Sequence, residues 1–188
     1  MIGNDIVDLK QAAKDSNWKR PRFLDKIFTP KEQLFISASE SKAQMVWLLW
    51  SMKEAAYKAY VRETECRFFN PKRIQCQLML HNQGIACIDK KSYYLKSVIT
   101  SEYVHSIAVK AETLSLEVHH FKLFEANQGE IVRVQLLKYI SLKKGKDLRS
   151  FEIKKTASGV PNVFSNQEQV CDALSMSHHG KYGAFAIC

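Results

Sequence analysis

Among the 188 residues of this chain, Glu54 and Lys58 are the pair whose types and spacing most invite chemistry. Trp47, Trp50, Glu54, Lys58 and Val61 follow one another at steps of three or four, so all five project from one side of a helix. That side begins apolar and then turns charged, whereas a helix that only fills a core continues its apolar stripe. An acid and an ammonium one turn apart can move a proton and steady a developing negative charge. The same spacing also describes an i,i+4 surface pair worth about 0.2–0.5 kcal/mol. Spacing leaves both readings open. Two further sets stand out: Asp5, directly after Gly3 and Asn4, and Ser177 with His178 near the end of the sequence. An acid in a short strand is ordinarily solvated, and Ser-His-His-Gly taken as a bare motif is a polar loop.

The motifs acquire meaning together. Trp50, Lys53, Glu54, Ala55 and Lys58 spell Trp-x-x-Lys-Glu-Ala-x-x-Lys. Gly3 to Leu9 reads GNDIVDL, Phe28 to Glu32 reads FTPKE, Gly159 to Pro161 reads GVP, and Ser175 to Gly180 reads SMSHHG. In this order they resemble the motifs of the 4'-phosphopantetheinyl transferases. The resemblance implies transfer of the 4'-phosphopantetheine arm of coenzyme A to a serine of an acyl or peptidyl carrier protein, releasing 3',5'-ADP, as in fatty acid or polyketide synthesis. A non-catalytic coenzyme A or acidic-protein binding module of the same fold is the alternative.

The resemblance also assigns roles. Asp5 and Glu54 become ligands of Mg2+, which prefers such hard oxygens. Some members carry a second acid where Val7 stands, and its absence resembles the short, holo-acyl-carrier-protein-synthase type, in which water completes the metal shell. Glu54 would accept the serine proton, and Lys58 would neutralise the pyrophosphate. Lys53 points about 100° away on the helix and is a phosphate contact or a structural tie. Glu32 is a helix cap that could also approach the site. Ser177 and His178 would hold coenzyme A phosphates from a second lobe. Val160 stands where the family often has a lysine, so Lys154, Lys155 or the cluster from Lys143 to Lys146 is offered for phosphate instead. Lys14, Lys19, Arg20 and Arg22 would dock the acidic carrier, although a basic run is also simply a solvated helix face and loop.

Composition narrows the classes. The excess of 28 basic over 19 acidic residues, a net charge of +9, favours an anionic partner. Nucleic acid rests on charge alone, because no arginine-rich tract, zinc-finger spacing or aromatic-basic RNA motif is present. No apolar run reaches the about 18 residues that cross a bilayer, and MIGNDIVDLK has no signal-peptide core. A cytoplasmic protein without membrane contact is expected. Five widely spaced cysteines without a Cys-x-x-Cys pair suggest reduced thiols rather than a disulfide framework or a zinc site.

The elements that must position these residues are legible in outline. Ile2, Ile6, Val7 and Leu9 make a short strand. Thr29, Pro30 and Glu32 carry the signature of a capping box at a helix start, and a longer helix begins near Ser41. Residues 67 to 122 are rich in β-branched and aromatic residues, broken at turns such as HNQG, and read as at least three antiparallel strands. His105 reads as an ordinary packed or surface histidine of one of these strands rather than a catalytic one. His119 and His120, adjacent on a strand, point to opposite faces and give only a weak metal signal. A second unit is expected from Glu125, with a helix ending at the basic turn Lys143 to Lys146, a strand pair about Gly159, and a final pair about Gly180. The fold expected is α+β and 4'-phosphopantetheinyl transferase-like, with antiparallel sheets packed on a long helix. Two similar lobes, 1–124 bearing the metal site and 125–188, would form a pseudo-dimer in circularly permuted order. A monomer is favoured over the short-type homotrimer.

Overall fold

The structure is a computed structural model that describes residues 1–110, 116–124, 127–171 and 173–188. Strand β1 (Ile2–Asp8) leads directly into helix α1 (Leu9–Asp15), because Asp8 is the cap rather than a solvated strand end. Its Oδ1 accepts from the Lys10 and Gln11 amides, and Oδ2 accepts from the Lys181 amide. After α2 (Phe23–Ile27), the capping box forms as expected at the start of α3 (Pro30–Ala38), with Thr29 and Glu32 bonding reciprocally. The long helix α4 (Lys42–Thr64) follows, and its largely apolar face is buried.

Strands β2 (Ile74–Leu78), β3 (Gln83–Ile88), β4 (Lys91–Ile99) and β5 (Tyr103–Val109) then form a meander. With β1 they make a five-stranded antiparallel sheet of order β1-β5-β4-β3-β2, packed against α4. The turn between β2 and β3 falls in HNQG, where His81 and Asn82 take positive φ, as tight hairpin turns demand. Strand β6 (Glu117–Lys122) leaves this sheet. Glu125, where the sequence reading starts a second unit, lies outside the described residues, as do Leu114 and Ser115 before β6. Helix α5 (Gln128–Lys144) ends at Gly145 in the left-handed conformation that favours glycine. Strands β7 (Phe151–Lys155), β8 (Pro161–Ser165) and β9 (Glu168–Gln169) form one small sheet. Strands β10 (Leu174–His179) and β11 (Tyr182–Ile187) form another with β6, in the order β10-β11-β6.

β1 is covered on all sides. Ile2 packs with Ile107 and Ala186, Ile6 packs with Tyr182 and Ala184, and Val7 joins the core around α4. Along its open edge lies β10. The Asn4 amide donates to Ser175 Oγ at 2.9 Å and the Asp8 amide to His179 Nδ1 at 3.0 Å, with the same offset of 171 residues, so the two strands run in parallel. Ser177 Oγ donates to Asn4 Oδ1, and buried His105 places Nε2 at 3.3 Å from the same oxygen. Burial beside His120 and Lys58 depresses His105 to a pKa of about 3, so it is neutral at ordinary pH.

On the opposite side, Gly3 lets β1 touch α4. A Cβ on residue 3 would sit 2.0 Å from the Ala55 carbonyl oxygen and 2.7 Å from the Ala59 nitrogen. Backbone cannot yield as a flexible side chain can. Gly3→Ala is therefore expected to destabilise the fold by about 2–3 kcal/mol, measured by urea denaturation; an unchanged midpoint would show that β1 does not depend on this approach.

Candidate active site

The close approach at Gly3 places the next residues of β1 beside the charged end of the α4 stripe. Lys58 Nζ donates to the Asn4 carbonyl at 2.8 Å and to Asp5 Oδ1 at 3.0 Å, and Ser51 Oγ donates to the Asp5 carbonyl at 2.9 Å. Glu54, one turn before Lys58, completes the group. Burial raises the Asp5 pKa against the opposing pull of Lys58. Burial and then the charge of Asp5 raise that of Glu54, again against Lys58. The fold thus holds two carboxyl groups close together, partly desolvated and with a single lysine between them.

That set fits a hard divalent cation. Carboxylate oxygens are the donors Mg2+ selects, and a cation beside both would reverse the electrostatic cost of ionising them. Among the described residues no group of three His, Cys, Asp or Glu side chains could enclose a metal. Asp5 and Glu54 would therefore share it with water or with oxygens of a bound anion.

Glu54 stands between two cavities. The first, of 340 Å³, is walled by α4, by the loop Ser158–Pro161 and by the start of β10. Lys58, Arg62, Arg67, Arg133, Lys155 and His178 give it a strongly basic lining. Gly129, in the first turn of α5, also lines it, and Asn127 makes no side-chain cap there. The open N–H groups of a helix start favour an anion. The second cavity, of 570 Å³, lies across Glu54 and is mostly apolar, with Phe23, Trp50, Tyr57 and Phe68 on its walls and Arg20 and Lys26 at its margin.

The structure brings together Asp5, Glu54, Lys58, His178 and Lys155, and it leaves other candidates elsewhere. Lys53 is buried, ion-paired to Glu32 at 2.8 Å, and donates to the carbonyls of Pro71, at 3.0 Å, and Ile74. Of the two roles open to it, phosphate contact or structural tie, it takes the second, joining α3, α4 and the approach to β2. Glu32 is equally committed, since it also accepts from the Cys76 amide. Ser177 faces the seam with β1, while its neighbour His178 faces the cavity, as alternation along a strand requires. Burial and nearby Lys58 lower the His178 pKa. Lys154 turns to Glu152 and the Phe164 ring. Lys143 pairs with Glu117, 14 residues or about 20 Å along α5 from the cavity wall at Gly129. Lys14, Lys19, Arg20 and Arg22 are exposed, and of these Arg20 reaches the second cavity. His119 stacks on Phe185 and His120 packs on Tyr103.

Sequence reasoning missed Arg62, Arg67 and Arg133. Arg62 had a signal, because it follows Lys58 by four residues and so extends the Glu54–Lys58 edge by one more turn. Arg67 and Arg133 had none, since only tertiary folding brings a loop after α4 and the first turns of α5 to the same opening.

Residues 1–108, more than half of the chain, match the family described as the 4'-phosphopantetheinyl transferase superfamily. Among solved structures, Helicobacter pylori holo-[acyl-carrier-protein] synthase in complex with coenzyme A is 18% identical, with a TM-score of 0.48, covering 59% of this chain and 100% of that one. Thermotoga maritima holo-[acyl-carrier-protein] synthase is 11% identical, with a TM-score of 0.44, covering 89% and 83%. No curated protein matches the sequence.

The raised Glu54 pKa has a consequence for stability. The folded state binds this proton more readily than the unfolded chain does, so the cost of ionising Glu54 is absent at pH below its ordinary value of 4.5. That cost appears as pH rises through the folded value. At pH 7 without divalent cations, Glu54→Gln is accordingly expected to raise the melting temperature by about 2 °C, with the gain shrinking as the pH is lowered toward 4. A fall in melting temperature at pH 7 would contradict the desolvated acid pair.

Proposed function

Because this chain belongs to the 4'-phosphopantetheinyl transferase superfamily, we propose that it transfers the 4'-phosphopantetheine arm of coenzyme A to a serine of an acyl or peptidyl carrier protein. The observation that carries the reading is the position of Glu54, beside Asp5 and Lys58 and between a basic cavity and an apolar one. The phosphates of coenzyme A bind in the basic cavity. Lys155 and Arg67, which meet no carboxylate among the described residues, and the open start of α5 suit the anionic nucleotide end. The carrier serine enters from the opposite side of Glu54. Arg20 and Lys26 line that approach, and the exposed Lys14, Lys19 and Arg22 would extend the positive charge that steers an acidic partner and sets its orientation.

The serine oxygen attacks the phosphorus that bears the pantetheine arm. A new O–P bond forms, the P–O bond of the pyrophosphate breaks, and 3',5'-ADP departs. Glu54 accepts the serine proton, a role open to a carboxylate that lines both cavities. Lys58, fixed by Asp5 and the Asn4 carbonyl, keeps its ammonium at the cavity wall, where the leaving phosphate gathers charge. A Mg2+ ion held by Asp5 and Glu54 would supply further neutralisation of the pyrophosphate. His178 and its bond to Gln128 hold the β10 side of the cavity.

We further propose that residues 1–124 and 125–188 are two lobes meeting along β1 and β10, with β6 completing the sheet of the second, and that the chain acts as a monomer. Ser175, Ser177 and His179 bonding across to Asn4 and Asp8 support the close pairing of the two halves within one chain. Among the described residues, no helix is long and apolar enough to cross a membrane.

Intact-mass analysis of apo carrier proteins incubated with the protein, coenzyme A and Mg2+ tests the proposal. A mass increment of one phosphopantetheine group is expected, abolished by chelating the metal and reduced on the order of 100-fold or more by Asp5→Ala or Glu54→Ala. Binding of coenzyme A without any increment, on acyl and peptidyl carriers alike, would favour the binding-module reading.

A further inference from the structure

The last turn of α4 grips the opposite wall of the basic cavity at two points. Arg62 Nη1 donates to Asn162 Oδ1 at 2.9 Å, and Nη2 donates to the carbonyls of Pro161 at 2.5 Å and Leu174 at 2.6 Å. One guanidinium, on the helix that carries Glu54 and Lys58, therefore ties that helix to β8 and β10 at once. Glu65, the left-handed cap that ends the helix, holds the other end of the same loop. Its Oε2 accepts from Thr156 Oγ1 at 2.8 Å and from Ser158 Oγ, and Ser158 is itself buried. Between these two anchors lie Ser158, Gly159 and Val160, which form the cavity wall. Within the loop Val160 packs into the core around α4 and its amide donates to Thr156 Oγ1, which also bonds Ser158 Oγ, and the β7–β8 ladder flanks it on both sides. The loop's own backbone bonds are those from Thr156 to Val160 and from Gly159 to Thr156.

The geometry points to Arg62 and Glu65 as positioning residues that set the width of the basic cavity by pinning the loop 156–162 to the helix bearing Glu54 and Lys58. The three acceptors on Arg62 are neutral, so its planar fork is used for shape rather than for an ion pair. A lysine in its place could not meet all three. The loop contributes Gly159, where an added Cβ would sit 3.2 Å from the Arg67 guanidinium. Releasing the loop would therefore also change the space available to Arg67, a group with the positive charge an anion would meet. This inference rests on the reading of the basic cavity as the coenzyme A site.

The test combines hydrogen exchange, calorimetry and kinetics on Arg62→Ala, Arg62→Lys, Glu65→Ala and Glu65→Gln. Backbone amides of 156–163 are expected to exchange at least about tenfold faster in Arg62→Ala and Glu65→Ala, while those of β3 and β4 stay unchanged. Affinity for coenzyme A, and for 3',5'-ADP as a shorter probe, is expected to fall on the order of tenfold as preorganisation is lost. The Glu65 variants would show this in KM more than in kcat. Glu65→Gln, which keeps an acceptor for Thr156 and Ser158, should behave nearly as the native chain, and Arg62→Lys should not. If Arg62→Ala does not fold, the exposed Glu65 pair decides the matter. Unchanged exchange across 156–163, or a loosened loop with unchanged affinity for both probes, would overturn the assignment. Absence of transfer by the native chain would instead overturn the catalytic reading, and the exchange and binding results would still decide this one.

Discussion

The contact of β1 with α4 at Gly3 sets the geometry of the acid pair and of the seam with β10. A strand and a helix normally stand apart by the size of the side chains between them, but here a glycine meets the backbone at Ala55 and Ala59. Small residues on both surfaces make the approach possible, and Ser51 and Lys58 secure it with hydrogen bonds one turn before and one turn after Ala55. Asp5 is carried by that contact to Lys58 and Glu54. The other edge of β1 then fixes β10, because Asn4 and Asp8 donate to Ser175 and His179. A single strand thus registers the acid pair against the strand that delivers His178. The glycine in Gly-x-Asp is a packing residue, and the aspartate depends on it.

Two lysines on α4 show how one helix separates stability from chemistry. Lys53 is fully enclosed, with its charge met by Glu32 and backbone carbonyls, and it locks α3 and the approach to β2 to the helix. Removing one partner of such a pair costs about 3–5 kcal/mol, because the other is left charged and unpaired. Lys58, five residues later, is a third exposed and shares its acid with a site where carboxyl pKa values rise rather than fall. The enclosed pair makes the helix rigid. The open group stores unfavourable electrostatics that a bound cation would relieve.

Local signals made much of the fold legible. The long helix, the capping box at Thr29 and Glu32, the HNQG turn and the terminal hairpin about Gly180 all follow from periodicity and backbone preference within short windows. Asp5, Glu54 and Lys58 were legible as a set through motif order and spacing. What remained hidden is long-range. Lys53 and Ser177 sit in motifs beside candidate site residues, yet one is spent on Glu32 and the other on Asn4, 173 positions away. Arg62 binds acceptors 99 to 112 residues distant, and no window on the sequence contains them. Asp8 carries no local sign of its capping role, because its three amide donors come partly from the next helix and partly from Lys181. Side chains of these types are ambiguous until the seam between β1 and β10 forms.

We propose that Gly3 packing makes Asp5 and Glu54 one divalent-cation site beside the basic cavity. Titration of Mn2+ into the protein with 3',5'-ADP present, followed by electron paramagnetic resonance, tests it most directly. One bound Mn2+ per chain is expected, displaced by Mg2+ and lost in both Asp5→Asn and Glu54→Gln while each variant remains folded. Equal Mn2+ binding by the native chain and both variants would contradict it.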